Sequence, residues 1–147
     1  MLGLMQQQAL SVGSLIDFAE KHHGDVEIVS RRIEGDIHRS TWATIAQRSR
    51  QVANALDQWK IGQGARVATL AWNGYRHLEL YFGVSSSGRV IHTLNPRLHL
   101  DQIVWIANHA EDEVMCFDMT FLPIAKQIHE RCTTVKRWLA LCDADKL

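Results

Sequence analysis

The sequence has no C-x-x-C pair, and its three cysteines, Cys116, Cys132 and Cys142, are widely spaced and odd in number. That pattern excludes the framework of a secreted disulfide scaffold, and reduced, partly buried thiols are the expected state. Neither sign of charge is in excess, since Lys+Arg and Asp+Glu both number 16. A dedicated nucleic-acid binder needs a basic face, and an anionic-membrane anchor needs a polybasic patch; both classes are disfavoured. No run reaches the roughly 18 apolar residues of a membrane-spanning helix. The first residues, Met1 to Gln8, lack the positive and apolar regions of a signal peptide. A cytoplasmic protein is the resulting expectation.

Phosphate-binding and catalytic motifs are missing as well. There is no G-x-x-x-x-G-K-[ST] loop. Gly62-Gln63-Gly64 lacks a third glycine and precedes a strand-like segment instead of following one, so it reads as a helix-to-strand turn. Gly83-Val84-Ser85-Ser86-Ser87 lacks the closing glycine of G-x-S-x-G and runs from helix to strand, the wrong direction for a nucleophile elbow. Ser85–Ser87 with Gly88 read as a frayed helix end. Eight histidines are present, but His22-His23, His92, His99 and His109 form no H-E-x-x-H or Cys/His spacing. Glu111-Asp112-Glu113 reads as a solvated turn at the amino end of a strand, away from the carboxyl ends where open α/β sheets bind ligands.

What is present is a regular alternation of elements. Ser14–His22 reads as a helix capped by Ser14, with Leu15, Phe18 and Ala19 on its inner face. Glu27–Arg32 and Ile37–Ser40 flank a Gly35-containing turn and read as a hairpin. Thr41 caps a longer helix whose buried face carries Ile45, Val52, Leu56 and Trp59, stopped by Gly62 and Gly64. Four short apolar strands follow (Arg66–Trp72, Val90–Leu94, Val114–Phe117, Lys136–Leu141). Between them lie helices over Tyr75–Ser87, Asp101–Ala110 and Phe121–Arg131. The inner faces expected are Leu78, Tyr81, Phe82 and Ser85 for the first, and Ile103, Ile106, Ala107 and Ala110 for the second. This order predicts an α/β fold: an N-terminal helix and hairpin, then successive βαβ units with a mostly parallel sheet. No linker divides residues 1–147, so one unit is expected.

The strand exits Trp72-Asn73-Gly74, Leu94-Asn95-Pro96-Arg97 and Phe117-Asp118 are the positions where a site should form. Arg97 is the candidate clamp for a carboxylate or phosphate. Beyond these the residues yield no complete catalytic constellation: catalytic none, cofactor-binding none, metal none.

Several segments carry a more specific signal. Thr41-Trp42-Ala43-Thr44-Ile45 with Val52-Ala53-Asn54-Ala55-Leu56 resembles the first core motif of the adenylate-forming (AMP-forming) acyl-CoA synthetase family. Gly64-Ala65-Arg66-Val67-Ala68 resembles the family's "G-D-R-V-A". Trp72–Glu79, His92–Leu98, Ile106–Asp112 and Glu27–Arg31 are similar to its medium/long-chain fatty-acid–CoA ligase branch, in collinear order over nearly the whole chain. The resemblance implies an incomplete piece of the family's large N-terminal domain, truncated at its C-terminal side. It also implies the family's reaction. A fatty carboxylate attacks the α-phosphate of ATP with Mg²⁺ to give acyl-AMP and pyrophosphate, and the thiol of coenzyme A then displaces AMP. The family's Ser/Thr/Gly-rich loop ending in Pro-Lys-Gly, its adenine-ribose residues and its C-terminal lysine have no counterpart here. The chain alone is therefore expected to be inactive and to bind ATP, Mg²⁺ and CoA weakly at best. The alternative is a stand-alone α/β interaction module.

Two departures stand out. Ala65 replaces the usual Asp. Arg89 stands where a small residue is usual, before a strand expected to be buried on both faces. Removal of the rest of the domain should leave Val114–Phe117 and Trp138–Leu141 short of cover. Self-association is the expected outcome.

Overall fold

The computed structural model describes residues 3–143; residues 1–2 and 144–147 lie outside the described residues. Helix α1 (Val12–His23) packs on α2 (Trp42–Gln58), and the antiparallel hairpin β1 (Glu27–Arg31) and β2 (Ile37–Thr41) joins them. Then follow β3 (Arg66–Leu70), α3 (Tyr75–Ser85), β4 (Val90–Thr93), α4 (Leu100–His109), β5 (Asp112–Asp118), a 3-10 turn over Met119–Phe121, α5 (Leu122–Ile128) and β6 (Arg137–Leu141). The last four strands form one parallel sheet in the order β4-β3-β5-β6. The expected α/β class and the hairpin-then-βαβ sequence both hold.

Alternation along β3 and β5 divides the core. Val67, Val114 and Cys116 meet Leu56 of α2 and Leu80 and Val84 of α3 on one face. Ala68, Leu70, Met115 and Phe117 meet Ile103, Val104 and Ala107 of α4 and Ala125 and Ile128 of α5 on the other. Period-2 strands feed opposite layers in this way. A third cluster, Ile16, Ile45, Ala46 and Tyr75, joins α1 and the hairpin to the outside of the α2/α3 layer.

Several local expectations are corrected. Helix α1 starts earlier than Ser14: its N-cap is Ser11, and the Ser14 hydroxyl donates to the Ser11 carbonyl at 2.7 Å. Its buried residue is Ile16, while Leu15 and Phe18 are 63% and 57% exposed. Thr41 does cap α2, accepting from the Thr44 amide at 3.3 Å, but the left-handed residue that ends this helix is Lys60, φ 58°, not a glycine. On α3 the inner face is Leu80, Gly83 and Val84 with His77 and Glu79; Tyr81 is exposed. Gly83 sets this rotation, because a Cβ there would lie 2.6 Å from the Ser49 carbonyl and 2.7 Å from Val52 Cβ. The helices touch through a glycine, and an apolar-residue count cannot register it.

Arg89 is not misplaced. It precedes an edge strand, and its buried guanidinium donates to the Ile61 carbonyl at 2.6 and 2.9 Å and to Asp57 at 2.6 Å. A cation that satisfies the carbonyl end of a helix and its trailing turn is favourably placed. Strand β5 is central, with Val114 and Met115 fully buried and Cys116 at 1% exposure, so the expected lack of cover does not apply to it. It begins at Asp112, where a bulge pairs Arg66 with Asp112 and Val67 with Val114. The solvated-turn reading therefore fails for Asp112, which is fully buried and takes the His92 Nδ1 at 2.9 Å.

Candidate functional site

The strand order fixes where a crevice can open. From β3 the chain moves outward to β4 through α3 on one face of the sheet. It then returns past β3 to β5 through α4 on the other. The reversal lies between β3 and β5, and at the carboxyl ends of such strands the two connections diverge and leave a cleft. A pocket is found there, lined by Trp72–His77 after β3, Asp118 at the end of β5, and Arg31–Ile33 of the hairpin.

Of the predicted strand exits, two converge here and one does not. Asp118 Oδ2 accepts the Trp72 amide at 2.7 Å, tying the two strand ends together. Burial pushes the Asp118 carboxyl above its usual range, while the Trp72 amide and the Arg76 charge pull it back. Asn73 does not cap α3; the N-cap is Gly74, with no side-chain hydrogen bond. The third exit lies beside the outermost strand. Asn95 Oδ1 accepts the Arg97 amide at 3.0 Å, and the Arg97 side chain is exposed and clamps nothing among the described residues. His99 caps α4 in a reciprocal box with Gln102.

The groups that dominate the crevice were not singled out from the sequence. Arg76 sits in the first turn of α3, where the helix dipole disfavours a cation. Its guanidinium is matched by Glu34 at 2.9 Å and by Asp143 at 2.9 Å. Arg32 reaches the other oxygen of Asp143 at 2.7 Å and also holds Asp36. Asp143 thus bridges two guanidiniums, and these hold its carboxyl below the usual range. Tyr75 stacks on His38 with ring centres 3.8 Å apart. Together these contacts clasp the hairpin and the chain leaving β6 to the amino end of α3. The available signal was Arg76 itself, a cation in a helix's first turn.

One pair has the spacing of a nucleophile and base: Thr69 Oγ1 lies 3.0 Å from His77 Nε2. Both residues are buried, at 1% and 6% exposure, and His77 Nδ1 has no hydrogen-bond partner among the described residues. A catalytic pair needs an accessible nucleophile and an orienting carboxylate; Thr69 is buried, and no carboxylate hydrogen-bonds His77 among the described residues. Burial holds His77 below its ordinary value, which favours the neutral ring. Among the described residues no group of three His, Cys, Asp or Glu side chains could hold a metal ion. The other histidines are engaged locally: His109 stacks on Trp105 at 4.6 Å, and His22 lies 4.5 Å from Phe18. Of the three arginines that line the crevice, Arg32 and Arg76 are already met by the chain's own carboxylates, and Arg31 is the remaining one. No helix is long and apolar enough to cross a membrane.

Comparison with known proteins gives this arrangement its context. Residues 15–145 match the AMP-binding enzyme family. The chain is 46% identical over 99% of its length to a 3-methylmercaptopropionyl-CoA ligase of Ruegeria pomeroyi, covering 27% of that protein. It is 44% identical over 96% of its length to a medium-chain-fatty-acid–CoA ligase of Ectopseudomonas oleovorans, covering 26% of it. A long-chain-fatty-acid–CoA ligase of Thermus thermophilus is 40% identical over 93% of the chain and 25% of its own length. The fold is shared with an anthranilate CoA ligase crystallised with anthranoyl-AMP (TM-score 0.80, 15% identity, 89% of this chain and 25% of that one). A fatty acyl CoA synthetase of Mycobacterium tuberculosis superposes with a TM-score of 0.74 at 20% identity, over 88% of this chain and 26% of that one. The chain thus spans about a quarter of the length of the curated relatives it matches. By the family match and by these relatives, the chain belongs to the AMP-binding enzymes, in the company of acyl-CoA ligases.

Proposed function

We propose that these residues are the N-terminal part of an AMP-forming fatty-acid–CoA ligase, that they form one unit, and that by themselves they do not catalyse acyl-CoA formation. The observation that carries this reading is the mismatch in coverage: 96–99% of the chain aligns at 44–46% identity, yet only 26–27% of each relative is spanned. The sequence contains no Ser/Thr/Gly-rich loop ending in Pro-Lys-Gly. At the switch-point crevice Arg32 and Arg76 are already paired with carboxylates, which supports a scaffold role for these two over a phosphate cradle. The full-length activity would use ATP, Mg²⁺, a carboxylic acid and coenzyme A, in the cytoplasm. The acid is the least constrained element, because relatives of similar identity are named for a short thioether acid and for medium-chain fatty acids.

The test is direct. The purified chain, supplied with ATP, Mg²⁺, CoA and acids from 3-methylmercaptopropionate to long-chain fatty acids, should release no pyrophosphate above the blank. Turnover would overturn the inactive-fragment reading. A second reading, a stand-alone interaction module, is favoured by one observation: β6 lies at the sheet edge with half-buried side chains. Sequencing the reading frame past Leu147 separates the two. A downstream Ser/Thr/Gly loop with Pro-Lys-Gly supports the ligase, and an immediate stop codon supports the module.

A further inference from the structure

We draw no further inference here: the strongest candidate, the exposed apolar stripe of Val12, Leu15 and Phe18 on the outer face of α1, carries nothing, because nothing in the structure shows what covers it in a chain that spans about a quarter of its relatives.

Discussion

The two faces of the sheet are covered by different chemistry. On the α4/α5 side the contact layer is aliphatic and aromatic, from Ile103 and Ala107 to Phe117 and Ile128. On the α2/α3 side polar residues are built into the layer: Ser49, Thr69, His77 and Glu79 are all buried, and the helices meet at Gly83. The first side is held by bulk and tolerates loss of atoms in proportion to their number. The second is held by fit and pairing, so single changes there should cost more than their size suggests. The difference also explains the layering, because only the α2/α3 side carries α1 and the hairpin as a further layer.

The largest test of that contrast is Gly83→Val. Its first added carbon would fall 2.6 Å from backbone at Ser49, which has no side-chain freedom to yield. The expected loss is about 4 kcal/mol or more, enough to abolish cooperative unfolding in urea. Ile103→Ala, fully buried on the opposite face, should cost about 3 kcal/mol with cooperativity retained. If Gly83→Val proves the milder of the two, the contrast between fit and bulk is wrong.

Smaller effects separate pairing from packing. Glu79 is 5% exposed and is met by Arg48 at 2.6 Å, whereas Arg48 is 49% exposed. Arg48→Ala strands a buried carboxylate and should cost roughly 2 kcal/mol; Glu79→Gln should cost less, because Arg48 can turn to water. Denaturation midpoints of the two variants check the asymmetry, and equal losses would count against it. The smallest effect is pH dependence from His77, whose folded value is depressed from 6.5 by burial. The unfolded chain takes up this proton first, so stability is full above 6.5 and declines as pH falls below it. Asp112 and Asp118, raised by burial, have the opposite sign: their contribution is full below 3.8 and is lost as pH rises through their folded values. The stability difference between the native chain and His77→Gln, followed from pH 7 to pH 5, isolates the histidine. The native chain should lose stability relative to His77→Gln as pH falls, and a flat difference would remove His77 from the account.

Legibility in the sequence followed the same division. Helix α4 was readable because its contacts are apolar and periodic: Ile103 and Ala107 are buried, and Ile106 and Ala110 half-buried, as expected. Helix α3 was misread because its inner face is written in Gly83, His77 and Glu79, which a hydrophobic period counts as blanks. Arg89 looked misplaced for a related reason. Its satisfaction depends on the Ile61 carbonyl and Asp57, 28 and 32 residues back, and only the fold brings them near. The strand-exit rule pointed to Trp72-Asn73-Gly74 and Asp118, and these line the crevice. It could not weigh Arg97 against Arg76, because the choice rests on where the hairpin turn and Asp143 arrive.

The clasp at that crevice also sets a timetable. Arg76 and Glu34 can meet as soon as β3 and the start of α3 have been made, since 42 residues separate them. Arg32 and Asp143 are separated by 111 residues, and Arg76 and Asp143 by 67. A chain emerging amino end first can therefore seat its hairpin provisionally on Glu34 long before the second anchor exists. During that interval both guanidiniums await Asp143, the hairpin can lift and resettle, and the order of the strands is not yet final. Arrival of Asp143 closes a loop of 111 residues in one step, so a residue that follows the last strand fixes the hairpin near the chain's start.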